Sequence, residues 1–115
     1  MNVKTALKKN YPEARKVTWE KENGNFEANW GGRSGEDTSV QYSPAAVFVE
    51  IVEAIPASSL PAGIGQYVRD RYKGASITEA GRVTDAAGRT SFEVEVNRRD
   101  LLFDDAGKFL KEEKE

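Results

Sequence analysis

The sequence has neither cysteine nor histidine in its 115 residues. Those absences remove disulfides, thiol nucleophiles, the usual zinc ligands and the commonest general base together. Long apolar runs are missing too: no stretch of about 18 apolar residues occurs, so no membrane-spanning helix is encoded. The opening residues Met1 to Lys9 carry lysines but no apolar segment of roughly 7 to 15 residues, and no signal peptide is expected in this chain. Charge of one sign is not in excess. Seventeen Lys and Arg face nineteen Asp and Glu, interspersed along most of the chain, which excludes the basic stripe that nucleic acid demands.

What remains is the composition of a folded chain. Apolar residues make up 38% and charged residues 31%, with five Phe, four Tyr and two Trp, so a single domain spanning 1–115 and one core are expected. Val3, Ala6, Leu7 and Tyr11 recur at helical spacing until Pro12, which predicts a helix from about Val3 to Asn10. The period then changes to two. Val17 and Trp19 form one strand, and Phe26, Ala28 and Trp30 a second, joined by an Asn23-Gly24 turn whose central residues suit positive φ.

A glycine-rich loop, 31–37, follows; it lacks the Gly-Lys-Ser/Thr ending and the following helix of a phosphate cradle. Strands at Ser39 to Tyr42 and Val47 to Val52 complete the first half, and Pro56 and Pro61 break the sheet pattern between them and a second helix. Ser58 or Ser59 is placed to cap that helix, Pro61 falls in its first turn, and Leu60, Ile64, Tyr67, Val68 and Tyr72 form its stripe. Four more strands follow: one near Ser76 to Thr84, one with Phe92, Val94 and Val96 on one face, and a hairpin from Leu101 to Leu110. Residues 112–115 read as a solvated tail.

The order helix plus four strands is written twice. Val40-Gln41-Tyr42-Ser43-Pro44-Ala45-Ala46-Val47-Phe48 returns 61 positions later as Leu101-Leu102-Phe103-Asp104-Asp105-Ala106-Gly107-Lys108-Phe109. The expected class is α+β: a tandem repeat of helix plus four-stranded antiparallel meander, with repeats 3–53 and 58–113 joined by a linker at 54–59. A half of this size is marginal alone, so one sheet carrying both helices on one face is expected.

Tyr11-Pro12 with Ala14 before Val17 and Trp19, Phe26-Glu27-Ala28 on the next strand, Leu60-Pro61 opening the second helix, and Phe103-Asp104 with Gly107-Lys108 together resemble the PepSY-like family. That family is also described as β-lactamase-inhibitor-like and is typical of bacterial envelope proteins. The resemblance covers nearly the whole chain. It implies a two-repeat α+β fold, a periplasmic location and no catalytic residue or cofactor. In the first half Ser43-Pro44-Ala45-Ala46 departs from the family's Asp-x-x-Gly turn, and without a signal peptide a cytoplasmic location stays open.

Strand alternation puts Val17, Trp19, Phe26, Ala28, Trp30, Val40, Tyr42, Phe92, Val94, Val96, Leu101 and Phe103 under the helices. On the opposite face it puts Glu27, Phe48, Glu93, Glu95, Leu102 and Phe109, the candidate partner-binding residues. Outward Phe48, Leu102 and Phe109 in an acidic field would suit a protein partner or self-association. Glu93 and Glu95, about 7 Å apart on one strand, would also serve as the acid and base of a hydrolase; a solvated antiparallel face is the simpler account. Binding of a small ligand or cation in the groove between helices and sheet is a further alternative that no particular residue motivates. Asp104, Asp105 and Gly107 form a turn and lack the spacing of a calcium loop, so no metal site is expected.

Overall fold

In a computed structural model, residues 2–33 and 35–114 are described, apart from the side chain of Lys114. Ser34 of the glycine-rich loop and Glu115 of the expected tail lie outside the described residues. Among the described residues the architecture is α+β: two α-helices and an open antiparallel sheet of eight strands in chain order. Contacts divide the chain into two compact units, one comprising the residues up to Glu53 with Asp85–Gly88, the other Ala54–Thr84 with the residues from Arg89 on. No helix among the described residues is long and apolar enough to cross a membrane.

The first unit begins with α1 (Val3–Asn10), as the apolar spacing requires. Asn2 caps it, its side-chain oxygen accepting the Thr5 N–H at 2.9 Å, which satisfies one of the orphan donors of the first turn. The helix ends where the Tyr11 N–H donates to the Leu7 carbonyl at 2.7 Å, with Tyr11 at φ −135° and ψ 68°. Strands β1 (Thr18–Glu22) and β2 (Asn25–Trp30) pair around Asn23 and Gly24, whose φ values of 51° and 83° are those of a hairpin turn with two left-handed residues. β3 (Thr38–Tyr42) and β4 (Phe48–Ala54) complete the meander. Ala6, Leu7, Ala28, Trp30, Val40 and Tyr42 form the buried cluster, with Val17, Trp19, Phe48 and Ile51 packed against it.

The second unit enters differently from its sequence expectation. Ser58 and Ser59 lie in a short 3-10 turn, Ala57–Ser59, and cap nothing with their side chains. Helix α2 (Ala62–Arg71) starts after Pro61, which is its extended N-cap and not a first-turn residue. The extended φ and ψ of Pro61, −53° and 141°, account for the shift: the proline closes the approach and the helix begins beyond it. A Cβ at Gly63 would lie 3.6 Å from the Gly107 carbonyl, an ordinary contact distance, so this helical position does not require glycine.

Strands β5 (Glu79–Asp85), β6 (Thr90–Val96), β7 (Arg99–Asp104) and β8 (Phe109–Lys114) form the second meander. The tail expected at 112–115 is therefore strand as far as Lys114. Its charged residues hide the alternation, but Glu112 pairs with Leu101 and Glu113 with Asp100. Ile64, Val68, Ala80, Val94, Val96, Leu101 and Phe103 form this unit's cluster. Where length led to the expectation of a single core, the buried apolar side chains among the described residues form two clusters.

Candidate functional site

Each strand face can be read from the register. In the second unit Val94 and Leu101 pair on the α2 side, so Glu93, Glu95 and Leu102 point the other way. Leu102 is flanked by Glu93 on β6 and Lys111 on β8. One row along, Glu79, Glu95, Asp100 and Glu113 stand opposite one another across four successive strands. Thr78 donates its hydroxyl to Glu95 Oε1 at 2.8 Å, and Lys111 Nζ lies 2.8 Å from Glu113. The result is a partly buried leucine framed by carboxylates and one lysine. Glu93 and Glu95 sit in the interior of a regular strand, alternating with buried valines.

In the first unit Glu27 pairs with Glu20 on β1 and Gln41 on β3, facing away from α1. It is half-buried, and burial pushes its carboxyl above the usual carboxylate range; Glu22 and Glu20 add to that effect, while hydrogen bonds with Asn29 and Gln41 oppose it. Asn29, on the same face, is buried and accepts the Ser39 hydroxyl at 2.5 Å.

Two expected outward residues turn inward. Phe48 pairs with Tyr42, their rings meeting edge to face at 6.4 Å. Phe109 pairs with Phe103 and stacks on Tyr67 of α2 at 4.8 Å, with its ring 10° from parallel. The cause is the same in both hairpins. The register shifts by one residue between Gln41 and Tyr42 against β4, and between Leu102 and Phe103 against β8. Each shift is a β-bulge, with Val49 and Leu110 as the extra residues, and it reverses the side of every residue beyond it. Sequence alternation carries no mark of such an insertion. Leu110, which it overlooked, is instead 55% exposed.

The Asp104 turn is fully explained by backbone needs. Its Oδ1 accepts the Ala106 and Lys108 N–H groups at 3.0 and 2.9 Å.

The space between helix and sheet, to which the sequence assigned no residues, is in the first unit a groove of about 410 Å³ between α1 and β1, lined by Lys4, Leu7, Lys8, Tyr11, Pro12, Ala14, Val17 and Trp19. Leu7 and Tyr11 come from the expected helix stripe and Val17 and Trp19 from the strand face, each of which reads as ordinary core when taken alone; Pro12 and Ala14 come from the segment between them.

No family model and no curated protein matches the chain. Solved structures do. A proposed periplasmic protein of Bacteroides eggerthii DSM 20697 is 21% identical with a TM-score of 0.78, over 96% of this chain and 85% of that one. A DUF2874 family protein of Bacteroides uniformis ATCC 8492 is 23% identical, TM-score 0.76, over the same shares. A BLIP-like protein of Bacteroides fragilis NCTC 9343 is 22% identical, TM-score 0.66, over 96% and 82%. At these identities the likeness is one of fold, and the chain has the fold of the DUF2874 and BLIP-like structures.

Proposed function

We propose that this protein is a non-catalytic binding module of the bacterial envelope that seats a partner protein on the sheet face turned away from the helices. The partner's matching surface carries basic side chains around an apolar contact. The observation that carries the reading is Leu102, framed by Glu93 and Lys111 with the row Glu79, Glu95, Asp100 and Glu113 beside it. A cationic surface laid across the row would meet a carboxylate on each of four successive strands. An apolar centre with a charged rim is also the usual anatomy of a docking surface. The envelope assignment is supported by the periplasmic description of one structural neighbour; membership of the PepSY-like group belongs to the same proposal.

We read the two units as repeats of one ancestral segment, 3–53 and 58–113 joined at 54–59, each a helix with a four-stranded meander. Support comes from equivalent contacts 61 positions apart. Tyr11 and Tyr72 close their helices on Leu7 and Val68 at 2.7 and 2.8 Å, and Ala14 and Ala75 donate to those tyrosine carbonyls at 3.0 Å in both units.

The test is charge reversal. A complex recovered with the protein from the envelope of producing cells is expected to weaken as ionic strength rises. It is expected to be lost in Glu93→Lys with Glu95→Lys and kept in Lys4→Gln with Lys8→Gln. A complex indifferent to salt and to reversal of Glu93 and Glu95 would overturn the reading.

A further inference from the structure

We infer that the groove between α1 and β1 is a binding site for a free, singly charged carboxylate with an apolar body, of the class of a medium-chain fatty acid. Its volume of about 410 Å³ falls within the range of small-molecule sites, roughly 300–1,000 Å³. The wall is apolar: Leu7, Tyr11, Pro12, Ala14, Val17 and Trp19. The two charged residues that line it are both lysines. Lys4 and Lys8 lie one turn apart on α1, on one edge of the helix, and both are exposed.

That pairing of an apolar wall with two ammonium groups selects a ligand with a greasy body and an anionic end. An exposed lysine can reach over apolar surface while keeping its ammonium in water, so the head group is met at the rim and the chain lies inside. Tyr11 does not contribute a competing negative charge. Burial, with smaller effects from Tyr42, Glu13 and Glu53, pushes its hydroxyl above the ordinary tyrosine value and keeps it neutral. The groove opens beside β1, the first strand of the sheet, which is paired with β2 on one side; the chain need not be threaded past a closed wall.

The site is separate from the proposed partner face. It consists of other residues on the helix side, and its failure would leave the reading of Leu102, Glu93 and Glu95 untouched.

Dodecanoate is the probe, titrated below its micellar concentration with tryptophan fluorescence as the readout. Saturable binding is expected, with the signal change reduced in Trp19→Phe. Lys4→Gln with Lys8→Gln, both at exposed helix positions, should weaken binding by about fivefold or more, the loss of two exposed ion pairs. Ala14→Leu should fill the groove and abolish binding while the protein keeps its circular dichroism. Dodecyltrimethylammonium, with the same chain and the opposite charge, should bind much more weakly, and acetate not at all. Equal binding of the two amphiphiles, binding unchanged in the lysine double variant, or no saturable binding below the micellar concentration would each overturn the proposal. So would a dimer, seen by sedimentation, that buries the groove and ignores dodecanoate, because the occupant would then be a second copy of the chain.

Discussion

The β3–β4 and β7–β8 hairpins solve one geometric problem with different residues. Between β3 and β4, the Ser43 N–H donates to the Val47 carbonyl at 2.9 Å and the Ala46 N–H to the Ser43 carbonyl at 2.8 Å. Between β7 and β8, Asp104 and Lys108, then Gly107 and Asp104, make the same bonds at 2.9 and 3.0 Å. Ser43 Oγ accepts the Val47 N–H at 3.2 Å where Asp104 Oδ1 accepts the Lys108 N–H at 2.9 Å. The third turn position is left-handed in both, φ 64° at Ala46 and 87° at Gly107. Glycine is therefore not required for the turn itself. At Gly107 there is a second demand, because a Cβ would meet that of Pro61 at 3.3 Å.

The largest effect that can break this comparison lies two residues beyond each turn, at Phe48 and Phe109. If the bulges turn both rings inward, Phe109→Ala should cost about 3 kcal/mol and Phe48→Ala somewhat less, since Phe109 also stacks on Tyr67. Urea denaturation measures both. Costs below about 0.5 kcal/mol would mean surface positions and would restore the outward orientation that alternation alone suggests.

Next in size is the glycine itself. Gly107→Ala combines a left-handed backbone with the Pro61 contact and should destabilise by about 2 kcal/mol. Ala46→Gly should instead stabilise by about 0.5 kcal/mol, the relief of left-handed strain less the added chain entropy of glycine. Equal and opposite effects would show that the Pro61 contact is soft. Asp104→Ala should then cost about 1 kcal/mol and Ser43→Ala about half that, because Asp104 accepts two backbone N–H groups and Ser43 one. A denaturation midpoint more sensitive at Ser43 would contradict this ordering.

The smallest expected effect compares the outer faces. The carboxyl of Glu27 is raised chiefly by burial, so its ionised form is disfavoured in the folded protein. A raised carboxylate costs stability at neutral pH, and the cost disappears as pH falls through the folded value towards the ordinary one. Glu27→Gln should therefore be more stable than the parent at pH 7, with the difference shrinking as pH falls through the raised folded value of Glu27. Thermal melts across that window check the sign; a difference that grows on acidification would contradict it.

Much of the fold was legible because it depends on local signals. The Val3, Ala6, Leu7 stripe located α1 to the residue, and Asn23-Gly24 located the first hairpin. The bulges were not legible. Val49 and Leu110 look like strand residues, and only pairing with β3 and β7 reveals them as extra. Nor was β8 beyond Leu110, since an edge strand carrying Lys111, Glu112 and Glu113 has the composition of a tail. Of the candidate site, Glu27, Glu93, Glu95 and Leu102 face as alternation requires, while Phe48 and Phe109 lie beyond a register shift that alternation cannot see. The acidic row depends on which strands are neighbours, and the groove on how α1 lies over β1; neither is a property of any short stretch of sequence.

The most direct test of the central claim places a photo-reactive side chain at position 102 or at position 109 in cells that make the protein. The account predicts a defined adduct from position 102, abolished by Glu93→Lys with Glu95→Lys, and none from position 109, whose side chain is held against Tyr67. An adduct from position 109 with none from position 102 would contradict it.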